Sequence, residues 1–190
     1  MRSSNPVSRT SAHRRILNPV YWIVALTLLV VSCSSAPKQP EYEVERKNQA
    51  SRYTEFGNAY FVDGDYRMAL QFFRLALEEN VAVDNLPGIA KSYNSIGRVY
   101  VATENLESAE RTFETALMFA KQADDREQIV QTYINRSELF LRRGETDSAL
   151  STLETARTQI SEEGDSPVYS ILFHNLGTLY ARRGEFDRAR

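Results

Sequence analysis

One pattern of aromatic and small residues recurs every forty residues along most of this chain. The recurring residues are Tyr53, Gly57, Tyr60, Ala69 and Ala76; then Tyr93, Gly97, Tyr100, Ala109 and Ala116; then Tyr133, Ser137, Phe140, Ala149 and Ala156; and lastly Phe173, Gly177, Tyr180 and Ala189. In each copy the first aromatic, the small residue and the second aromatic lie on one stripe of a helix, because they stand four and three positions apart. The period therefore predicts an all-α solenoid of antiparallel helix pairs, with about 3.5 repeats.

Each copy divides into two amphipathic segments, which we call helix A and helix B. In the first copy, helix A is predicted from about Glu43 to Phe61 and helix B from Tyr66 to about Glu79. The turn between them is predicted at Asp63-Gly64-Asp65, because glycine reaches left-handed backbone angles cheaply and aspartate caps helix N-termini. The later helix starts are predicted at Asn105, Asp124-Asp125 and Thr146.

The repeated residues resemble those of the tetratricopeptide repeat family over residues 44–190, with repeats near 50–83, 90–123, 130–163 and an incomplete copy at 170–190. The family's usual unit has about 34 residues, so the longer period here predicts longer helices. The resemblance implies that small residues on helix A face alanines on helix B, and that larger apolar residues fill the core between them. The first set pairs Gly57, Gly97, Ser137 and Gly177 with Ala69, Ala109, Ala149 and Ala189, and the second is Phe73, Phe113 and Leu153.

The resemblance also implies a concave groove lined by the A helices, which would bind an extended peptide or a partner helix. The positions carried over are Thr54, Asn58, Phe61, Lys91, Asn94, Arg98, Gln131, Ile134, Glu138, Arg142, Ile171, His174, Thr178 and Arg182. Asparagine and glutamine suit a peptide backbone because one amide both donates and accepts hydrogen bonds. The basic members favour an acidic partner or a free carboxylate. For each residue, a solvated helix face is the alternative. The family's specialised carboxylate clamp is not expected, because Thr54 and Gln131 stand where it needs basic residues.

The end of the chain departs from the pattern. The fourth helix B would run only from Phe186 to Arg190, about one turn, whereas solenoids normally close with a polar capping helix. We therefore expect the apolar side of Leu172, Leu176 and Leu179 to be exposed, and the chain to be truncated relative to a longer parent. The alternative is that dimerisation or a partner covers this end.

The first 32 residues have the layout of an export signal. Four arginines and no acidic residue precede or flank an uncharged run at Val20–Val31, and Cys33 follows it. Val30-Val31-Ser32-Cys33 resembles the bacterial lipobox, which implies lipidation of Cys33 after cleavage, and several acyl chains anchor a protein stably. Residues 33–43 are then the lipidated cysteine and a flexible tether.

The resemblance to bacterial lipoproteins further implies, in bacteria with two membranes, that Ser34, a non-acidic residue after the lipidated cysteine, directs sorting to the outer membrane, facing the periplasm. The alternative is an uncleaved inner-membrane anchor over Ile16–Ala36, which has 21 residues without charge. About 20 apolar residues are needed to cross a bilayer. Pro19 and the polar residues Ser32–Ser35 argue against such a span.

The sequence offers little for catalysis. The single cysteine excludes an intramolecular disulfide and a zinc site of several thiolates. His174, the one histidine beyond the predicted signal, has no nucleophile or metal-spaced partner nearby in sequence. After residue 32 acidic residues outnumber basic ones, which argues against nucleic acid. We expect no enzyme activity, cofactor, metal ion, nucleic acid or small-molecule substrate.

Together these observations predict a lipid-anchored adaptor or scaffold of the bacterial cell envelope, which binds a partner protein or peptide in its concave groove. Two alternatives remain at this point. The chain could be the non-catalytic N-terminal part of a longer envelope enzyme, or a single-span membrane sensor subunit.

Overall fold

The computed structural model describes residues 40–160 and 166–189. Within these ranges the chain forms seven α-helices: α1 (Glu41–Val62), α2 (Tyr66–Val81), α3 (Leu86–Ala102), α4 (Leu106–Gln122), α5 (Arg126–Arg142), α6 (Thr146–Arg157) and α7 (Pro167–Arg182). The A helices are α1, α3, α5 and α7, and the B helices are α2, α4 and α6. The predicted all-α stack of antiparallel helix pairs is confirmed.

Contacts between helices follow the order of the chain. Each helix packs on the next one, and each A helix also contacts the next A helix. This nearest-neighbour arrangement is what a solenoid requires, because no helix pair can bury its apolar side without the pair beside it. The A helices therefore lie side by side along one face of the stack.

Side-chain caps fix several helix starts. The carboxylate of Asp65 accepts a hydrogen bond from the Met68 amide at 3.0 Å, and Asp125 accepts one from Gln128 at 3.0 Å. Asn105 caps α4 in the same way, as predicted. The prediction for Thr146 was wrong: Glu145 occupies the cap position of α6 and makes no side-chain cap bond, and Thr146 is the first helical residue.

The first helix begins two residues earlier than expected, at Glu41 after Pro40. Residues 41–43, which the sequence assigned to the tether, are therefore helical. Cys33, the predicted signal and the rest of the predicted tether up to residue 39 lie outside the described residues. No helix that the structure describes is both long enough and apolar enough to span a bilayer.

The core consists of large B-helix side chains that contact two A helices each. Phe73 packs with Ile96 and Val99, and Phe113 packs with Val101 and Leu139. In the third pair Leu153 has the same place and packs within a cluster that includes residues of both α5 and α7. Each of these side chains thus joins its own pair to the following one, so a buried apolar cluster lies at each junction between neighbouring pairs.

Two glycines on the A helices make room for phenylalanine rings. A Cβ at Gly57 would lie 2.5 Å from Cε1 of Phe73, and a Cβ at Gly97 would lie 2.3 Å from Cε1 of Phe113. The sequence expected these glycines to face alanines. Their tightest neighbours are instead the rings one helical turn further along the B helices. In the third pair, Ser137 replaces the glycine and the smaller Leu153 replaces the ring.

The expected exposure of the last A helix was wrong. Leu172, Leu176 and Leu179 are 0%, 5% and 2% exposed, because they point back into the cluster formed with α5 and α6. The exposed apolar side chains near this end are Ile171, Phe173 and Phe186. Residues 186–188 form a turn rather than the short helix that the sequence predicted.

A buried amide joins the first pair to the second. The Asn80 side chain, 4% exposed, donates to the carbonyl of Ala76 at 2.9 Å and to the hydroxyl of Ser92 at 3.2 Å. The Asn85 side-chain amide donates to the side-chain oxygen of Asn80 at 2.7 Å. One side chain therefore ties the end of α2 to the start of α3.

Replacing Asn80 with alanine should lower the free energy of unfolding by about 1–3 kcal/mol, because buried partners lose their hydrogen bonds. Glu78, an exposed residue of the same helix, provides the control, and its replacement with alanine should change the free energy by less than about 0.5 kcal/mol. Urea titration followed by circular dichroism measures both. Equal small effects would show that the Asn80 network contributes nothing to holding the pairs together.

Candidate functional site

A network of amides and one hydroxyl lies between α3 and α5 on the A-helix face. The Asn94 amide donates to the hydroxyl of Thr132 at 2.9 Å and to the side-chain oxygen of Gln128 at 3.4 Å. Asn135 donates to the oxygen of Asn94 at 3.3 Å, and Gln131 donates to the oxygen of Asn135 at 3.0 Å. The network holds two neighbouring A helices together through polar groups.

Asn94 was predicted to bind a peptide in the groove, but in this network its side chain bonds to other residues of the protein. Its side chain is 3% exposed, and both of its N–H groups are used inside the protein. It therefore forms the floor of the A-helix face and fixes α3 against α5. Thr54 is similarly withdrawn, since it is 8% exposed and its hydroxyl donates to the carbonyl of Ala50 at 2.9 Å.

Adjoining clefts run along the A-helix face, and we call this row the groove. A basal cleft of about 420 Å³ and an amide cleft of about 250 Å³ share Asn58 and Lys91. The amide cleft shares Arg98 and Asn135 with an arginine cleft of about 260 Å³. A last cleft of about 260 Å³, containing His174, adjoins the arginine cleft through Glu138. The shared residues make the row continuous.

The structure brings the predicted groove residues to this row. Asn58, Lys91, Asn94, Arg98 and Gln131 line the amide cleft. Phe61, Glu138 and Arg142 line the arginine cleft together with Arg98, while Ile134, His174, Thr178 and Arg182 line the last cleft. Two apolar members differ from the others: Ile134 is 6% exposed and belongs to the core, whereas Ile171 is 46% exposed. Ile171 lines none of these clefts, so position along the groove matches the expectation for the other predicted residues only, and solvent access differs among those.

Several groove residues were missed by the sequence prediction. Ser95, Asn135 and Asn175 each follow a chosen residue by one position and recur at the forty-residue period. A one-residue step turns a helical side chain by about 100°, which separates a floor position from a wall position. Comparing all copies at each position of the period would have revealed this polar column.

Arg98 has an unusual environment. Its guanidinium lies over the ring of Phe61, 4.5 Å from the ring centre, and forms no hydrogen bond or ion pair within the described part of the chain. Burial lowers the pKa of Arg98, and no carboxylate opposes that shift. Arginine nevertheless stays protonated at neutral pH. Arg98 is therefore a half-buried cation whose charge is not balanced by a bonded acid.

Arg142 shows the contrast. Its guanidinium donates to Glu138 at 2.9 Å and to Glu104 at 3.2 Å, and these carboxylates, Glu138 first, raise the pKa of Arg142. The charges of Arg142 and Glu138 are thus largely satisfied by each other. Lys91, like Arg98, is in no ion pair within the described residues, and its side chain is exposed.

His174 is exposed in the last cleft. In the ranges that the structure describes, no three His, Cys, Asp or Glu residues are close enough to hold a metal ion. The chemistry that this groove offers is therefore amide hydrogen bonding, cationic side chains and a few apolar walls.

Comparison with known proteins supports the repeat assignment. A model of the tetratricopeptide repeat family matches residues 49–122 and 128–190. BtubC (BKLC) from P. vanneervenii is similar in fold, with a TM-score of 0.59, 20% identity, and coverage of 90% of this chain and 68% of that one. The N-terminal domain of stress-induced protein-1 (STI-1) from C. elegans has a TM-score of 0.51 and 16% identity, covering 70% of this chain and 96% of that one.

No curated protein sequence matches the chain. At these identities, the similarity to the two solved structures shows the fold alone. The family match rests on the repeats themselves and extends over most of the residues from 49 onward. The protein belongs to the tetratricopeptide repeat family.

Proposed function

We propose that this protein is an adaptor that binds an extended segment of a partner protein along the groove. Tetratricopeptide repeat domains generally act as protein–protein interaction modules, and no catalytic family is identified for this chain. The observation that carries the proposal is the continuous row of clefts on the A-helix face, which contains several cations in no ion pair with the described residues, Lys91 and Arg98 among them. An extended peptide fits such a row because its backbone can hydrogen-bond to side-chain amides as it passes along them.

The groove is tested by reversing its charge. The double substitution Lys91→Glu with Arg98→Glu should reduce capture of the proteins that copurify with the wild-type chain at least about tenfold, since repulsion replaces attraction at two positions. Label-free mass spectrometry of the eluates measures the loss, and circular dichroism checks that the variant stays helical.

The matched control reverses two exposed bases of α4, a B helix, through Arg111→Glu with Lys121→Glu. The net charge changes equally, so capture should persist if the groove is the binding surface. Recovery of the same proteins with the groove variant, or equal losses with both variants, would contradict the proposal.

We further propose that Cys33 is lipidated and holds the repeat domain at a membrane of the bacterial envelope, the outer membrane on its periplasmic side. The support is the sequence Val30-Val31-Ser32-Cys33 after an uncharged run, together with the position of the sole cysteine. Several acyl chains on one residue anchor a protein stably, and the groove would then recruit its partner to that surface.

The mass of the protein extracted from membranes of a bacterial host tests the anchor. We expect the mass of a chain that starts at Cys33 and carries acyl groups. The Cys33→Ser substitution should abolish both the acylation and the cleavage of the signal peptide. An intact Met1 on the wild-type protein would show that the segment remains as an uncleaved membrane anchor.

A further inference from the structure

We infer that the arginine cleft is a subsite for an acidic side chain of the bound segment, with Arg98 as the group that binds its carboxylate. This inference rests on the proposed groove function and adds the chemical class of ligand. It assigns this role to Arg98 alone, whereas the sequence analysis gave all basic residues of the groove the same expected preference for an acidic partner.

The Phe61 ring determines how Arg98 is presented. The guanidinium carbon of Arg98 lies over the Phe61 ring, 4.5 Å from the ring centre, where cation–π attraction holds it. The guanidinium carries five N–H donors in a fixed, planar arrangement. None of these donors is used by the described residues. A carboxylate accepts two of them side by side, which is a strong and orientation-dependent contact.

The carboxylate within reach of the same cleft is already engaged. Glu138 bonds to Arg142 at 2.9 Å, and Arg142 bonds also to Glu104. Other arginines of the described residues are paired in the same way, for example Arg143 with Glu110 at 2.8 Å. Arg98 is the half-buried exception within the groove. A partly desolvated cation without a bonded acid is costly to maintain, and a bound carboxylate would offset that cost.

The walls of the cleft favour a side chain over a chain terminus. Val101 and Ala102 provide apolar surface beside Arg98, which suits the methylene groups of a glutamate. Further clefts adjoin on both sides, so the bound segment can continue past Arg98 in each direction. A terminal carboxylate would leave one of those sides empty.

Selection of random short peptides on the full-length chain in detergent tests the inference, because it requires no knowledge of the natural partner. One library presents each peptide with its C-terminus fused to a carrier, and the other presents a free C-terminus. Peptides from the fused library should converge on glutamate or aspartate at one fixed position. Convergence only in the free-terminus library would overturn the side-chain assignment.

A double-mutant cycle on a selected synthetic peptide then locates the contact. Changing its acidic residue to the corresponding amide should weaken binding to wild type by about tenfold to a hundredfold, as expected for a hydrogen bond to a charged group. The same change should have almost no effect on Arg98→Gln, because the partner of the carboxylate is already gone. Arg111→Gln, on α4, is the control of equal charge and should behave as wild type.

The outcomes are distinguishable. If no peptide is enriched on the wild-type chain, both the groove proposal and this inference fail. If enriched peptides bind in the groove but lack a fixed acid, or if the acid matters equally with and without Arg98, the inference fails and groove binding stands. Should Arg98→Gln not fold, Arg98→Lys retains the charge without the planar donor edge, and an undiminished affinity in that variant would also overturn the bidentate contact.

Discussion

Replacing Phe113 with alanine should lower the free energy of unfolding by about 3–5 kcal/mol, the range observed when a buried aromatic side chain is removed from a well-packed core. Phe113 is 0% exposed and packs with Val101 of its own pair and Leu139 of the next. Its removal thus leaves a cavity where two helix pairs meet. Because the stability of a repeat protein depends on contacts between neighbouring pairs, a cavity at this junction should destabilise both of the pairs that meet there.

Urea titration monitored by helical circular dichroism measures this change, and Met118→Ala is the control. Met118 lies on the same helix and is 54% exposed, so its replacement should change stability by less than about 0.5 kcal/mol. Similar effects of the two substitutions would mean that Phe113 is not part of a core shared by the pairs.

Replacing Gly97 with alanine should also destabilise the protein, by about 1–3 kcal/mol, because the new methyl group overpacks the core. Its Cβ would lie 2.3 Å from a ring atom of Phe113, which is fully buried and cannot move aside freely. Alanine ordinarily favours a helix over glycine by about 0.5–1 kcal/mol. The clash must therefore exceed that gain for the expected sign to be observed.

The third helix pair suggests a compensating substitution. There Ser137 and Leu153 occupy the positions of Gly97 and Phe113, and both are buried. Adding Phe113→Leu to Gly97→Ala should therefore give a double variant more stable than the sum of the two single changes, with a coupling of at least about 1 kcal/mol. Simple additivity, measured by the same urea titrations, would contradict the proposed contact between the small residue and the ring.

Most of the fold could be predicted from the forty-residue period. It predicted helix pairs in the right places, because the aromatic and small residues on each A helix are determined by the need to pack against a B helix. What it could not predict was the nearest neighbour of every small residue. A Cβ at Gly177 would lie nearest to Ala189, as expected, but a Cβ at Gly57 or Gly97 would lie nearest to a phenylalanine ring. The period fixes which residues recur, but it contains no information on how far a large side chain reaches across the pair.

The end of the stack shows a second limit. Leu172, Leu176 and Leu179 were expected to be bare because only a short segment follows them, yet they are buried against α5 and α6. These leucines face the preceding helix pair, and Ala189, which follows the helix, packs against the same cluster. The exposed apolar side chains near this end are instead Ile171, Phe173 and Phe186.

The sequence could predict which residues of the candidate site lie on the groove. It could not predict which of their polar groups are already bonded within the fold. Asn58, Lys91 and Arg98 fall on the groove because the A helices supply one face of the stack. Whether a polar side chain is free or satisfied depends on its neighbours from other repeats. Asn94 is used within the fold through Thr132, 38 positions away in the sequence. Whether Arg98 has a bonded acid likewise depends on residues of other repeats. No pattern in the neighbouring sequence distinguishes the bonded Asn94 from Arg98, which is unpaired among the described residues.

Photo-crosslinking of a selected peptide tests the central claim, binding along the A-helix face, most directly. A photoreactive amino acid is placed in turn at Asn58, Lys91 and Gln131 in the groove, and at Glu78, Glu114 and Met118 on exposed B-helix positions. The account predicts that the groove positions capture the peptide and that the B-helix positions do not. Capture from the B helices with none from the groove would contradict it.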